Sequence, residues 1–317
     1  SLSGSISNRS MVFGFSAGSD VLDMNDQLPI SAFMNTVYSL LRKENYEKLY
    51  DKRFINLSVA GRIAGTWTGS ATAEYADRRW LPNSSSFGIF NKKNKTFTSN
   101  NPLLPAQDVP LFPDNQSFKL TLRTSYDFGN KYETYPGGRR YLPSKYPRID
   151  LGFTHSFKNV FGADADYSLI TADITKTDIG MGVFGRSSFF IGAGKFINAG
   201  KLYYIDYKHF SGDQVLFYEA GISKFLLLDY YRYSAPDKYF EGHLEHNFSG
   251  FILNKIPLIR NLKLQEIVDY NILYTPAQPR YSELGLGVQY LTFRLMYSRS
   301  YNSGSNITSG IRLGIGF

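Results

Sequence analysis

Long stretches of this chain alternate apolar and polar residues with a period of two, which strands satisfy and amphipathic helices do not. In SFKLTLRTSYDF (117–128), Phe118, Leu120, Leu122, Tyr126 and Phe128 share one side, and Lys119, Thr121, Arg123, Ser125 and Asp127 the other. In LTFRLMYSRSY (291–301), Leu291, Phe293, Leu295, Tyr297 and Tyr301 alternate with Thr292, Arg294, Met296, Ser298 and Ser300. RIDLGFTHSF (148–157) and GTWTGSATAEY (65–75) repeat the pattern. Further strands fit 10–18, 52–62, 164–175, 180–196, 239–251, 265–275, 282–290 and the terminal 306–317. Together they predict about twelve strands in an all-β chain.

Two architectures produce such alternation: a soluble sandwich or barrel with its apolar face inward, and a transmembrane antiparallel β-barrel with that face outward. Several stretches run to about 9–12 residues, beyond the usual strand of about 5–6 and close to the roughly 9–11 that a tilted strand needs to cross a bilayer. Tyr and Phe, 24 and 25 of them, fall near many strand ends, as in aromatic girdles. The polar side mixes both signs of charge over many strands. These features favour the membrane barrel. A mean hydropathy of −0.26 is no objection, because lipid-facing and lumen-facing residues average out.

The lack of Cys excludes disulfide scaffolds and zinc–thiolate sites. The net charge of +8 comes from basic residues scattered opposite acidic ones. It therefore does not point to nucleic acid, and a polyanionic surface such as lipopolysaccharide suits it as well. The opening SLSGSISNRS has neither a basic nor an apolar leader region, so an export signal is expected to be removed or to lie upstream.

The final strand ends on an unbroken row, Ile311, Leu313, Ile315 and Phe317. An alternating last strand with a terminal aromatic is similar to the signal by which bacterial outer-membrane barrels are recognised, so the barrel assembly machinery is an expected partner. Counting back from that strand places 195–238, 83–115, the TPAQPRYS turn (275–282) and SYNSGSN (300–306) outside. FILNKIPLIRNLK (251–263) and 132–147 then fall on the inner side. One segment departs from the two-residue period: in 28–50, Phe33, Val37, Leu40 and Leu41 have helical spacing after Pro29 and Ser31, which predicts a loop helix near 30–50.

The stretches NTVYSLLRKENYEKLYDKRF, TFTSNNPL, LYYIDYKHFSGDQ, LLLDYYRYSAPDKYFEGHLEHNFSGFILNKIPLIRNLKLQEIV and GIRLGIGF together resemble one group. It comprises Bacteroidota outer-membrane barrel proteins of unknown function, described as carboxypeptidase-regulatory-like domain-containing. The resemblance covers about residue 30 to the end. It implies that this chain is the C-terminal portion of a longer protein, without peptidase activity. The last third is more distantly similar to the BamA-like superfamily, in which a long outer loop folds into the lumen and sets an Arg-aromatic motif against the wall. Tyr231, Arg232 and Tyr233 stand where that motif would fall, although no Gly follows the arginine. The comparison implies that the twelve strands are the last of a sixteen-stranded barrel, and that Arg232 points into the lumen toward Glu241, Glu245 or Asp269.

Glu241, His243 and Glu245 share one strand face, so they could ligate a metal or form a charged lumen network. There is no HExxH, no GxSxG, and no glycine-rich turn at a strand–helix junction. No enzyme chemistry, metal or cofactor is expected. The expected function is an outer-membrane barrel, BamA-like, serving envelope biogenesis or protein insertion and transport. The alternatives are a passive porin and a structural subunit that binds other outer-membrane or periplasmic proteins.

Overall fold

The computed structural model describes residues 2–7, 10–84, 87–89, 96–129, 131–136, 138–142 and 144–315. In chain order the elements begin with β1 (Leu2–Ser7), β2 (Met11–Asp23), α1 (Ala32–Arg42), β3 (Leu49–Ala64), β4 (Trp67–Trp80) and β5 (Asn115–Asp127). A small hairpin follows, β6 (Tyr132–Tyr135) and β7 (Gly138–Tyr141), then β8 (Arg148–Ser156), β9 (Asp166–Gly180) and β10 (Arg186–Lys201). The remainder is β11 (Phe217–Glu219), β12 (Lys238–Asn247), β13 (Gln265–Thr275), β14 (Gln278–Tyr290), β15 (Phe293–Asn302) and β16 (Ser305–Ile315).

With 56% of residues in strands and 9% in helices, the chain is all-β. One sheet of 14 strands takes the order β1-β2-β3-β4-β5-β8-β9-β10-β12-β13-β14-β15-β16-β11. Its twelve long strands are the twelve expected from alternation, each antiparallel to the long strands beside it. Two flanking strands carried no such signal: β1 beside β2, and the three-residue β11, which runs parallel to β16. Among the described residues no ladder joins β1 to β16, so the sheet is open and the expected closure is not formed within them.

Boundaries moved where backbone conformation demanded it. The strand expected at 239–251 stops at Asn247, because Ser249 and Gly250 take positive φ values of 53° and 82° and turn the chain. The helix is shorter than 30–50. Ser31 caps it by accepting from the Met34 amide, and Lys43 ends it in the left-handed region. Its expected apolar face is also displaced: Phe33 is 74% exposed, while Met34 and Tyr38 pack on the core beside Ile30.

The sheet is inverted relative to a soluble sandwich. Leu286 and Ile311 on one face are each 53% exposed, whereas Glu283 and Ser298 on the other are fully buried. The same face that exposes Ile55, Leu57, Leu122, Leu151, Ile170, Leu244 and Tyr270 runs across the long strands. Many polar residues, Glu241, His243, Asn271, Glu283, Ser298 and Ser300 among them, are buried on the covered inner face, which is the unusual arrangement.

The connections 24–48, 81–114, 157–165, 202–237, 276–277 and 303–304 all leave one edge, here the upper rim. Residues 202–237 do not stay there. They descend along the inner face until Leu216 to Ala220 bond to the lower end of β16, then climb back to β12. This inner segment supplies much of the hydrophobic core: Phe210, Phe225, Leu228 and Tyr233 pack with Tyr239, Leu273 and Tyr281 of the wall. Gly212 permits the fold-back, since a Cβ there would sit 2.2 Å from the Leu228 carbonyl oxygen.

Candidate functional site

The wall and the inner segment meet through polar groups at three levels. At the root, Arg78 on the inner face of β4 donates from Nη1 to Asp206 Oδ1 at 2.7 Å and from Nε to Asn115 Oδ1 at 2.8 Å. The two ionic side chains are 2% and 1% exposed. The Tyr167 hydroxyl donates to the same aspartate oxygen at 3.1 Å, and the Lys119 ammonium lies 3.9 Å away. Burial alone would raise the Asp206 carboxyl, but Arg78 and Lys119 overcome it and hold it below the usual carboxylate range.

At the middle, Glu283 of β14 accepts the backbone amides of Leu226 and Leu227 at 2.7 and 2.8 Å. It also accepts the hydroxyl of Tyr281 and, at 3.4 Å, the amide nitrogen of Asn271. A single buried carboxylate thus meets two main-chain donors of the turn that carries the segment's apolar side chains, and such charge-assisted bonds are the stronger kind. Gly285 makes the room: a Cβ there would stand 3.3 Å from Leu226 Cδ1 and 2.9 Å from Ser298 Oγ. The network continues through His243, whose Nδ1 pairs with Asn271 Oδ1 at 2.9 Å and whose Nε2 lies 3.6 Å from Glu241. Lys208 of the segment completes it, 3.5 Å from Glu241.

At the upper rim, Asn25 donates to the carbonyls of Phe210 (3.0 Å) and Tyr230 (3.4 Å). The Tyr231 hydroxyl donates to Asp23 Oδ1 at 2.5 Å and accepts the Lys48 amide at 3.2 Å. Lys48 is itself buried, its ammonium bonded to the carbonyls of Asn45 and Ser99. Burial pushes it down to about 8, against the pull of Asp23.

The residues singled out from sequence divide between these levels. Tyr231 and Tyr233 are buried, the first in the rim lock and the second in the apolar contact. Glu241, His243 and Glu245 share the inner face as expected, but they do not act as one group. Glu245 is held by Arg294 of β15 through bonds of 2.6 and 3.2 Å. Asp269, directly opposite Glu245, is 9% exposed and its Oδ1 has no hydrogen-bond partner among the described residues. Among the described residues no cluster of His, Cys, Asp and Glu has a metal-holding arrangement.

Arg232 departs from expectation. It does not enter the polar interior toward Glu241, Glu245 or Asp269. Its side chain is 49% exposed at the upper rim, 3.6 Å from Asp229 one turn earlier. The cause is local: Tyr231 and Tyr233 flank it and both turn inward, so the intervening side chain turns out. Of the terminal row, Ile311 and Ile315 are exposed and Leu313 is half-buried on the same outer face, while Phe317 lies outside the described residues.

Arg78, Asp206, Lys208 and Glu283 carry the contact; Asp206 and Lys208 fall in the stretch LYYIDYKHFSGDQ, but nothing in it singles them out, and Arg78 and Glu283 lie in no motif. Arg78 lies beyond the alternating stretch 65–75; the strand continues to Trp80, and the same period carried through Arg78 puts it on the inner face. Glu283 was visible as an inward carboxylate between Tyr281 and Gly285.

No curated protein matches this sequence. The sequence matches residues 4–288 to a domain described as the C-terminal domain of a family of unknown function, DUF5686, a description with no carboxypeptidase-regulatory or BamA-like term in it. That match takes in β1 through most of β14, including the inner segment and Glu283, so the chain belongs to the DUF5686 C-terminal domain family.

Proposed function

We propose that this chain forms the wall of a transmembrane β-barrel of a bacterial outer membrane, with residues 202–237 obstructing its interior. The observation that carries the proposal is the inversion of the sheet. An apolar face spread over the long strands is stable against hydrocarbon and unfavourable in water, while the inner face, polar and apolar by turns, is already covered by the chain's own segment. Strands of 9–16 residues match the span required. Strands contributed by a longer chain would supply the closure that membranes demand of sheets.

A wall with a built-in inner segment suits a BamA-like role in envelope biogenesis or protein insertion better than free diffusion through an open pore. Its partners in that role are outer-membrane lipid and lipopolysaccharide, the barrel assembly machinery and other envelope proteins. Two measurements test this. Leu286→Arg places a charge in the middle of the apolar face. It should lower folding into lipid vesicles by about 2–4 kcal/mol, whereas an exposed site on a water-soluble protein would change by less than about 0.5 kcal/mol. Purification as a soluble monomer without detergent would overturn the membrane reading. In planar bilayers, a steady large conductance would favour the porin alternative, and its absence the obstructed barrel.

A further inference from the structure

The upper rim holds a cleft of ≈ 460 Å³. Three connections and one strand end build it: the stretch after α1, the 98–105 loop, the inner segment at 214 and 229–232, and Gln278 at the start of β14. Its lining mixes two chemistries: Tyr46, Pro102, Leu103 and Pro105 stand among polar and charged groups that include Glu44, Thr98, Gln214, Asp229, Arg232 and Gln278.

The lining is held before any ligand arrives. Tyr46 is braced edge-on between Tyr38 and Tyr230, with centroids 5.5 and 5.7 Å away. The 98–105 loop is shaped by Asn101, 3% exposed, whose Oδ1 accepts the amides of Leu103 and Leu104 at 3.0 and 3.1 Å. Gln214 donates to Asp229 at 2.6 Å, and Arg232 approaches the same carboxylate from the other side. Tyr231 and Lys48 of the lock described above also line the cleft. A fixed cleft of this size loses little entropy on binding.

We propose that this cleft is a saccharide-binding site, and that Arg232, Asp229, Gln214 and Gln278 are its recognition residues. A pyranose presents C–H groups on one face and hydroxyls around its edge. The Tyr, Pro and Leu groups of the lining suit the first, and its guanidinium, carboxylates and primary amides suit the second, since together they donate and accept. The proposal does not depend on the membrane reading, because the cleft is formed by rim connections and can be tested in detergent. The sugar has two possible sources, the polysaccharide of lipopolysaccharide and a free oligosaccharide, and the chemistry is the same for both.

The test is saturation-transfer NMR and calorimetric titration of the detergent-solubilised protein. The probes are linear α-glucan, β-glucan, chito- and uronate-containing oligosaccharides of three to six units, together with lipopolysaccharide and the polysaccharide released from it by mild acid. Saturable binding of at least one saccharide is expected, weakened tenfold or more by Arg232→Ala and by Gln278→Ala. Binding of the released polysaccharide assigns the source to lipopolysaccharide, and binding only of a free oligosaccharide assigns it there. The proposal is overturned if no saccharide binds, if lipopolysaccharide binds only through its lipid, or if both variants bind like the wild type. Unchanged thermal transitions in the variants separate loss of recognition from loss of fold.

Discussion

Arg78 and Arg232 each face an aspartate, one in the interior and one at the upper rim. In the interior pair the ionic atoms are 2.7 Å apart and both side chains are almost fully buried. At the rim they are 3.6 Å apart and about half exposed. Arg78 also lies 5.6 Å from the Tyr203 ring centre, so its guanidinium is enclosed on several sides by the root of the inner segment. The same two side-chain types therefore differ in what their loss leaves behind. Removing one interior partner strands a charge away from water, and removing one rim partner leaves a charge already hydrated. Pairing alone does not reveal which arginine holds the segment in place; burial and the number of further bonds do.

The sharpest way to break this contrast is Arg78→Ala. It should cost about 3–5 kcal/mol, because Asp206 is left buried with only the Tyr167 hydroxyl and the more distant Lys119 ammonium against its charge. The expected outcome is a lowered thermal transition in detergent and new protease cleavage within 202–237. Arg78→Ala combined with Asp206→Ala should be less damaging than the arginine change alone, since no charge is then stranded. Additive losses in that double-mutant cycle would show that the two side chains do not act as a pair.

Glu283→Ala comes next, at roughly 2–4 kcal/mol, from two main-chain donors that lose a charged acceptor. Hydrogen exchange should rise selectively at the Leu226 and Leu227 amides, while the root around Asp206 keeps its protection. Uniform acceleration across the segment would mean that root and middle open together and are not separate attachments.

The sequence made the wall legible and left the segment obscure, for physical reasons visible at these same residues. A two-residue period reports which face a side chain takes, because neighbours on a strand must oppose one another. It placed the twelve long strands, the inward side of Glu241 and His243, and the outward side of Ile311. The inner segment has no period to read. Its attachments join residues far apart in the chain, as between Tyr231 and Asp23 or Asn25 and Tyr230, and several end on backbone groups that every residue carries. Glu283 could be placed on its face, but that Leu226 and Leu227 would bring their amides to it could not. Arg232 was chosen by likeness to a motif, and the neighbouring tyrosines decided its direction instead.

Acidity gives a smaller contrast inside the segment itself. Burial lowers His209 to about 4, against the nearby Asp26 charge, and its nitrogens are engaged by Ser234 and the Tyr204 carbonyl. The unfolded chain then binds the extra proton first, so stability is lost as pH falls from about 6.5 toward 4, by at most about 1.4 kcal/mol per unit. Asp213 runs the other way. Burial raises it to about 7, so the folded state holds the proton and gains stability as pH falls from 7 toward 3.8. Midpoints of denaturation measured between pH 7.5 and 4.5 should therefore fall less steeply in His209→Gln and more steeply in Asp213→Asn than in the wild type. Identical slopes in all three proteins would mean that neither group titrates differently on folding.

Arg232→Ala should have the smallest effect on the fold. An ion pair this exposed contributes between zero and about 1 kcal/mol, and the tyrosines on either side keep their own bonds: Tyr231 to Asp23 and Lys48, Tyr233 within the apolar contact. The variant should show the wild-type thermal transition and no new cleavage between 202 and 237, in contrast to Arg78→Ala measured beside it. Its Asp229 neighbour retains Gln214 as a donor, so no carboxylate is left without a partner. Should Arg232→Ala loosen the segment as much as Arg78→Ala, the rim pair would carry weight that its exposure does not account for. The division between a structural interior arginine and a solvent-facing rim arginine would then fail.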